Sequence, residues 1–305
     1  MDNFLNFLYC FDKNYNKQAF SSMISILDNI SEKINFYVIH NEEFNIENIP
    51  NSIKNHKNLN QITFFMFKDY DYYFPNIKDV HISLATYFRL FIRNYLPNNL
   101  ENIIFLDPDI ICIKDPIPVL KDNIKKLNES NYIISAKTEH TRGEKRVHVN
   151  DKYFNAGFMI INYKKWIEND IQSKLIDKLK FLKEKIYQWD QDVLNSFFNG
   201  NYNEVEKWLN FNANLFDNEK GKENIYFLHY LGSHKPWLTS GMFQNSAYHY
   251  HKNFRKIDDA EYHIIHKWKT QSAIDFLIAL FTLKVFKIDT PIRFLTQFLY
   301  SFVKQ

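Results

Sequence analysis

Two acidic residues, Asp107 and Asp109, stand two positions apart in "NIIFLDPDIICIKD", between two apolar runs. Carboxylates at the end of a buried strand are costly unless they are hydrated, paired or bound to a cation. Side chains at positions i and i+2 of an extended chain point the same way, so the two carboxylates can converge on one ion. Such oxygen ligands favour Mg²⁺ or Mn²⁺, and the alternative is a turn with solvated acids.

A second candidate lies in "FLHYLGSHKPW", where an apolar run ends at His229. An imidazole ligand at this position would favour Mn²⁺ over Mg²⁺. Gly232 would let backbone N–H groups approach an anion, and Lys235 would supply a cation for a phosphate. The alternative is a core histidine followed by an ordinary turn.

Three more stretches place polar groups beside predicted strands or at a predicted helix start. In "NAGFMIINYKKW" small residues follow Asn155, where a ligand or another backbone can come close. In "YQWDQDVLN", Asp190 and Gln191 either cap a helix or line a polar sugar site. In "CFDKNY", Asp12 can bond a base or ribose and Tyr15 can stack on a base, unless the segment is only a polar loop.

Short apolar runs alternate with longer helical patterns along most of the chain. This alternation predicts an α/β fold with a mostly parallel sheet and helices on both faces. Ligands bind such sheets at the carboxyl ends of the strands. The predicted strands are Phe4–Phe11, Ile34–His40, Ile62–Phe67, "IIFLD", "YIISA", "GFMIIN" and Asn224–Tyr230, and the predicted helices include one capped by Ser83 and others at about Lys165–Lys185 and Asp192–Phe198.

Composition indicates a globular protein, because 45% of the 305 residues are hydrophobic and 24% are charged. The net charge of +3 is too small to argue for nucleic acid, and we expect no nucleic-acid partner. The two cysteines, Cys10 and Cys112, lie in apolar runs, which favours a reducing compartment over a disulfide framework. With six glycines in the chain, no Gly-rich phosphate loop of standard spacing is present.

The C-terminal part differs from the rest of the chain. Residues 264–305 carry six basic and two acidic residues, a charge of +4, in an apolar and aromatic context. They form either helices that pack on the domain or a basic anchor on a membrane surface. We therefore divide the chain into residues 1–258 and a helical tail, 259–305. The N-terminus has no signal-peptide pattern, so we expect a cytoplasmic protein that is either free or held at the inner face of the membrane.

Six ordered blocks of this sequence together resemble the family-8 glycosyltransferases, most closely the bacterial lipopolysaccharide galactosyl- and glucosyltransferases. The blocks are "FDKNY", "HISLATYFRL", "FLDPD", "FNAGFMIINYKKW", "DQDVLN" and "HYLGSHKPW", between about residues 4 and 240. The resemblance implies a GT-A (Rossmann-like) fold, a UDP-sugar donor, Mn²⁺ and retention of the anomeric configuration.

The resemblance also implies a role for individual residues. Asp12, Asn14 and Tyr15 match positions that hold uridine, Arg89 matches a basic residue near the donor, and Asn155 matches a sugar or ribose contact. Asp107, Asp109 and His229 match the metal ligands, and Gly232 and Lys235 match the residues that bind the diphosphate. Asp190 matches the acid that holds the donor sugar, Gln191 matches the amide beside its anomeric carbon, and His81 lies on the acceptor side. The region from Glu139 to Asp151 matches no usable pattern. The acceptor, its linkage and the choice of hexose therefore stay open.

The expected activity is metal-dependent transfer of galactose or glucose from a UDP-sugar to a saccharide or lipid-linked saccharide, in lipopolysaccharide or other surface-glycan synthesis. Because Gln191 is a neutral amide and a poor nucleophile, we favour front-face attack by the acceptor. One alternative is a metal-dependent sugar nucleotidyltransferase, which would need a triphosphate-gripping loop. Another is a non-catalytic saccharide-binding or membrane-associated protein on a decayed transferase fold.

Overall fold

The computed structural model describes residues 4–75, 83–139, 146–147, 149, 152–257 and 261–304 of the chain. The strands are β1 (Leu5–Phe11), β2 (Ile34–His40), β3 (Leu59–Met66), β4 (Asn102–Leu106), β5 (Ile110–Cys112), β6 (Ile134–Thr138), β7 (Phe154–Asn162), β8 (Asn203–Glu204), β9 (Phe211–Asn212) and β10 (Phe227–His229). The α-helices are α1 (Asn16–Asn29), α2 (Asn51–Lys54), α3 (Ile117–Glu129), α4 (Tyr163–Glu168), α5 (Ile171–Leu182), α6 (Trp189–Phe198), α7 (Thr239–Met242), α8 (Ala247–Phe254), α9 (Lys269–Phe281) and α10 (Pro291–Lys304). The 3₁₀ helices are Lys13–Tyr15, Ile46–Asn48, Leu84–Asn94, Lys183–Lys185, Lys207–Leu209, Ala213–Asn218, Lys222–Asn224 and Val285–Lys287.

A seven-stranded sheet forms the centre of the fold, in the order β3-β2-β1-β4-β7-β6-β8. The pairs β3–β2, β2–β1, β1–β4 and β6–β8 are parallel, whereas β7 runs antiparallel to both β4 and β6. The prediction of a mostly parallel α/β sheet is therefore confirmed. Because β7 is reversed, its start lies at the same edge of the sheet as the carboxyl ends of β1 and β4.

Both faces of the sheet are covered by apolar packing, as alternation along a strand requires. In β1, Phe7 and Tyr9 belong to the cluster on one face, and Leu8 and Cys10 to the cluster on the other. Both cysteines are free and buried. The carboxyl edge of the sheet is thus a rigid platform between two dry layers.

A small second sheet, ordered β5-β10-β9, is joined to this edge. Three residues separate β5 from β4, and β5 pairs antiparallel with β10, with His229 opposite Ile110. Strand β9 pairs parallel with β10 on its other side. This short sheet carries the late part of the chain back to the ends of β1 and β4.

Two predicted helices differ from the structure. The helix predicted at about Lys165–Lys185 is divided into α4 and α5, because Asp170 adopts a left-handed backbone with φ of 47° that ends one helix and starts the next. The helix capped by Ser83 is present, and the Ser83 side chain accepts from the Ala85 N–H, but it is a 3₁₀ helix with a non-helical residue at Phe91. An apolar stripe alone does not separate these two helix types.

The tail packs against the segment that precedes it. Met242 of α7 shares an apolar cluster with buried tail residues, which are Tyr262, Ile264, Ala279, Val285, Phe294 and Phe298. Other large apolar side chains of the tail face outward, including Phe281, Ile292 and Val303. Among the described residues, every helix is too short or too polar to cross a bilayer. The boundary predicted at residues 258 and 259 lies outside the described residues, and the division into two domains stays a prediction.

Three buried histidines near the start of the tail make the folded protein less stable in acid. Burial lowers the pKa of His249 to about 4, of His251 to about 4 and of His263 to about 3. The unfolded chain therefore binds these protons at pH values below about 6.5, whereas the folded chain does not. The contribution of these histidines to the free energy of unfolding is fully present above that pH. We expect the free energy of unfolding to fall by about 1.4 kcal/mol per pH unit for each histidine as the pH drops towards 4.

The measurement is urea denaturation between pH 7 and pH 5 in the wild type and in His263→Phe. The His263 ring stacks on Phe254 at 4.7 Å between centroids, so phenylalanine keeps the stacking and removes the proton site. The variant should show a shallower pH slope by about one proton. Equal slopes in the two proteins would contradict the assignment.

Candidate functional site

Asp107, Asp109 and His229 meet at the carboxyl edge of the main sheet. Asp107 follows β4, and its N–H donates to the Gly157 carbonyl oxygen of β7 at 2.8 Å. Asp109 precedes β5, and its carbonyl oxygen accepts from the Tyr230 N–H at 3.2 Å, which continues the β5–β10 ladder. The antiparallel register of β5 and β10 therefore brings His229, 120 residues later in the chain, next to the two acids.

The three side chains can bind one cation. One ligand atom from each lies within 4.8 Å of the others. His229 Nε2 is 3.3 Å from an oxygen of Asp109 and 3.9 Å from an oxygen of Asp107. Two carboxylates with one imidazole are a donor set that Mn²⁺ accepts readily, and the spacing leaves room for an ion between them.

Gly157 provides the space beneath this cluster. A Cβ atom at this position would lie 2.2 Å from His229 Cε1 and 2.8 Å from Asp107 Oδ2, closer than real Cβ contacts. The strand backbone of β7 therefore passes directly against both ligands. Only a residue without a side chain fits here, which explains the small residue after Asn155 and Ala156.

Arg89 links the cation cluster to Asp190. Its Nη2 donates to Asp107 Oδ1 at 3.0 Å, and its Nε lies 2.8 Å from Asp190 Oδ2. Its Nη1 donates to the Ala156 carbonyl oxygen at 2.6 Å, and its guanidinium lies 4.1 Å from the centre of the Phe105 ring. Burial lowers the pKa of Arg89, but Asp107 and Asp190 outweigh burial and raise it. The guanidinium is thus a permanent charge that fixes both carboxylates.

Asp190 is almost fully buried in the first turn of α6. Its Oδ1 accepts from the Thr86 hydroxyl, and its Oδ2 faces Arg89. Burial raises the pKa of Asp190 to about 6, although Arg89 and Thr86 oppose the shift. At neutral pH the carboxylate is therefore charged, and its buried Oδ2 is paired with the Arg89 guanidinium. The ion pair fixes Asp190 beside the cation cluster.

Gln191 and Asp192 are held by the start of β7 and the residues around it. Gln191 Oε1 accepts from the Ala156 N–H at 2.9 Å, and its Nε2 donates to the Tyr153 hydroxyl at 3.3 Å. Asp192 is fully buried, and it accepts from the N–H groups of Val147, Tyr187 and Gln188 and from the Tyr153 hydroxyl. Asp192 is therefore a structural anchor, whereas the Gln191 Oε1 atom accepts one hydrogen bond from the described residues and has a second lone pair available.

Lys235 and Gly232 lie in the loop after β10. Lys235 Nζ donates to Asp109 Oδ2 at 2.5 Å and to the Tyr230 carbonyl oxygen at 2.6 Å. Burial raises the pKa of Asp109, but Lys235 and His229 outweigh burial and hold it well below its usual range. Gly232 has φ of 69°, and the space around its missing side chain is open. The loop thus places the positively charged Lys235 side chain beside Asp109 and leaves the Gly232 backbone accessible.

Asp12, Asn14 and Tyr15 follow β1 at the same edge of the sheet. Asp12 caps the short 3₁₀ helix by accepting from the Asn14 N–H at 2.9 Å, and it also accepts from the Ser83 hydroxyl. Asn14 is exposed. The Tyr15 ring packs edge-on against Trp237 at 6.2 Å between centroids, next to the loop that carries Lys235. Tyr15 is therefore near the cation cluster, while Asp12 holds the loop to the Leu84–Asn94 helix.

Asn210 is a buried site residue that was not predicted from the sequence. It is fully buried, and its side chain bonds both Asn155 and the His229 ring, each at 2.9 Å. The only sequence signal is an asparagine inside the apolar run "WLNF" directly before β9. Thr86 and Tyr153, which bond Asp190 and Gln191, are also absent from the residues singled out by sequence.

Most of the predicted site residues come together at one edge of the sheet. The cation cluster, Arg89, Asp190, Gln191, Asn155 and Lys235 are joined by direct contacts or through one intervening residue. His81, predicted on the acceptor side, lies outside the described residues. Asp12 and Asn14 stand at the rim of this group, where Asp12 accepts from the Asn14 N–H and from the Ser83 hydroxyl.

Comparison with known proteins gives one family. The model of glycosyl transferase family 8 matches residues 6–241. The lipopolysaccharide 1,3-galactosyltransferase of Salmonella typhimurium is 32% identical over 181 residues, which is 54% of this chain and 53% of that protein. The lipopolysaccharide glucosyltransferase WaaO of Escherichia coli is 29% identical over 168 residues, which is 50% of this chain and 49% of that protein. The chain thus spans about half the length of these two relatives.

A solved structure has the same fold. The galactosyltransferase LgtC, crystallised with donor and acceptor sugar analogs, superposes with a TM-score of 0.68 at 20% sequence identity. The superposition covers 88% of this chain and all of that chain. The main sheet with its reversed β7 is therefore the GT-A architecture, as predicted.

Proposed function

The chain belongs to glycosyl transferase family 8, and from this premise we propose that it transfers galactose or glucose from a UDP-sugar to a saccharide acceptor. The observation that carries the proposal is the convergence of Asp107, Asp109 and His229, with Lys235 bonded to the same cluster. A divalent cation and a lysine side by side neutralise the negative charge of a diphosphate leaving group. Relatives that act on galactose and on glucose support either hexose.

The three ligands would hold Mn²⁺, with Mg²⁺ the weaker candidate because of the imidazole. When bound, the cation neutralises negative charge that develops on the leaving diphosphate. Lys235 and the N–H groups beside Gly232 would bind the same phosphates. Tyr15, with Asp12 and Asn14 at the rim, would hold the uridine end of the donor.

Asp190 would orient the donor sugar. Its carboxylate would accept from hydroxyl groups of the sugar, and the ion pair with Arg89 keeps the carboxylate in place. Gln191 would lie beside the anomeric carbon, where the remaining lone pair of its oxygen stabilises positive charge in the transition state. Asp192 is fully engaged in four hydrogen bonds, which argues against a role as nucleophile. We therefore infer front-face attack by the acceptor with retention, and the leaving phosphate takes the acceptor proton.

The test is incubation of the full chain with a panel of UDP-sugars, with Mn²⁺ or with EDTA. We expect slow release of UDP and free hexose from UDP-galactose or UDP-glucose that requires Mn²⁺. Pyrophosphate release from UTP and a sugar 1-phosphate would instead identify a nucleotidyltransferase. Absence of both turnover and UDP-sugar binding would identify a non-catalytic saccharide-binding protein.

We also infer that the tail holds the enzyme at an anionic membrane surface, where a lipid-linked acceptor would lie at the cytoplasmic face. Phe281, Ile292 and Val303 are each at least 80% exposed. Lys284 and Arg293 lie within three residues of two of them. Outward-facing apolar side chains next to basic ones are the pattern of a helix that lies in a membrane interface.

Replacing Phe281, Ile292 and Val303 together by serine should weaken binding to phosphatidylglycerol-containing vesicles by at least about tenfold, since the insertion of even one of these side chains contributes about 1.5 kcal/mol or more. The melting temperature and UDP binding should not change, because these side chains lie outside the buried cluster of the tail. Cosedimentation with vesicles is the measurement. The control replaces Ile46 and Phe181, which are exposed elsewhere, and it should bind as the wild type does. Equal binding by all three proteins would leave the tail a packing element only.

A further inference from the structure

We propose that Asn210 and Asn155 form a chain of hydrogen bonds, here called the relay, that places the proton of the neutral His229 ring on Nδ1. The other ring nitrogen, Nε2, then faces Asp107 and Asp109 as a ligand atom without a proton. Asn210 and Asn155 are thus positioning residues for the cation site. The inference rests on the proposed function, because it concerns the same cation.

The relay begins at a backbone group whose direction is fixed. The Gly157 N–H donates to Asn155 Oδ1 at 3.0 Å. A backbone N–H can only donate, so the oxygen of the Asn155 amide, and not its nitrogen, must face it. The orientation of the Asn155 side chain is therefore determined by strand β7.

The next two bonds follow from the first. Asn210 Nδ2 donates to the same Asn155 oxygen at 2.9 Å, so the Asn210 oxygen points away from Asn155. That oxygen lies 2.9 Å from His229 Nδ1. An amide oxygen can only accept, so Nδ1 must carry a hydrogen. The other ring nitrogen, Nε2, is then the one that a cation can bind.

Reversing any one group would bring like atoms together. If the Asn210 amide turned, its oxygen would face the Asn155 oxygen and its NH₂ would face the His229 ring. If the proton moved to Nε2, two lone pairs would face each other between Nδ1 and Asn210. Asn210 is fully buried and His229 nearly so, so water does not relieve such a mismatch. The relay therefore has one consistent arrangement.

The relay also changes the part that Asn155 can play towards the donor. Its oxygen accepts from both Gly157 and Asn210, so only its NH₂ group is available to a sugar or ribose oxygen. The resemblance to the family implied a direct donor contact for Asn155. In this structure the same side chain is also linked through Asn210 to His229 in the second sheet, so its loss should affect cation binding even without a donor.

The test compares Mn²⁺ affinity, measured by calorimetry without UDP-sugar, in the full chain and in variants. Asn210→Leu should weaken Mn²⁺ binding by about 10- to 100-fold, the usual effect of losing the partner of a metal-bound histidine. Asn210→Asp keeps an oxygen that accepts from Nδ1 but turns its second oxygen towards Asn155 Oδ1, so it should lose less Mn²⁺ affinity than Asn210→Leu does. The control Asn162→Leu removes a buried asparagine at the far end of β7 and should leave the affinity unchanged.

A second measurement needs no variant at position 210. Long-range ¹H–¹⁵N spectra of the histidine-labelled protein in EDTA, at mildly alkaline pH, identify which nitrogen of each ring carries the proton. His229 is assigned by its absence in His229→Asn, and we expect protonation at Nδ1. Protonation at Nε2, or wild-type Mn²⁺ affinity in Asn210→Leu, would overturn the relay. Failure of the wild type itself to bind Mn²⁺ would overturn the proposed function instead, whatever the tautomer.

Discussion

Asp109→Ala is expected to reduce Mn²⁺-dependent hydrolysis of the UDP-sugar donor by at least about 100-fold, the usual effect of losing one group that stabilises transition-state charge. The substitution removes one of three ligands from a cluster whose atoms lie within 4.8 Å of each other. It also removes the carboxylate that holds Lys235, so the lysine no longer has a fixed position beside the phosphates. Both losses act on the same charge, and their effects should not be independent.

The control is Asp115→Ala, six residues along the chain. Asp115 accepts from the Ile117 N–H at 2.9 Å at the start of α3 and has no contact with the cluster. Its loss should cost about 1 kcal/mol of stability, as for other caps, and leave hydrolysis at the wild-type rate. Steady-state release of UDP measures both variants. Wild-type turnover in Asp109→Ala would show that the metal assignment is wrong.

Gly157→Ala should be almost as damaging, although the substitution adds a single methyl group. The new Cβ would lie 2.2 Å from His229 Cε1, so the ring must move. Movement breaks its bond to Asn210 and takes Nε2 away from Asp107 and Asp109. We expect at least a 100-fold loss of Mn²⁺-dependent hydrolysis and a comparable loss of Mn²⁺ affinity. Crowding of this kind costs about 1–3 kcal/mol of stability, so the protein should still fold.

Gly221→Ala is the matched control for this prediction. The same methyl group would lie 3.0 Å from the Trp208 ring, so it also requires a small local shift, but in a loop outside the cluster. Hydrolysis by Gly221→Ala should equal that of the wild type. If Gly157→Ala kept wild-type Mn²⁺ affinity, the close packing of β7 against His229 would not be a feature of the working enzyme.

The cation cluster could be predicted from sequence because each ligand stands directly beside an apolar run. Asp107 follows "IIFL" and His229 follows "YFL", and the carboxyl ends of strands are where ligands bind in α/β sheets. Strand β2 was predicted with the bounds that the structure shows, Ile34–His40. These features depend on local patterns that can be recognised within a short stretch of consecutive residues.

Other features depend on contacts between distant segments and have no local pattern. The direction of β7 is set by its pairing with β4, and the sequence of an all-buried strand reads the same for either direction. Asn210 can bond both His229 and Asn155 only because β9 lies beside β10 and close to Asn155. The break between α4 and α5 arises from the left-handed backbone of Asp170, which competes with a continuous apolar stripe. Pairing and backbone strain of this kind appear only in three dimensions.

We propose that Asp107, Asp109 and His229 hold a cation that binds the diphosphate of a UDP-sugar. The measurement is calorimetric titration of UDP into the full chain, with Mn²⁺ present or removed by EDTA. We predict saturable binding of one UDP per chain with Mn²⁺, and loss of that binding in EDTA and in Asp109→Ala. Equal affinity for UDP with and without Mn²⁺, unaffected by Asp109→Ala, would contradict the claim.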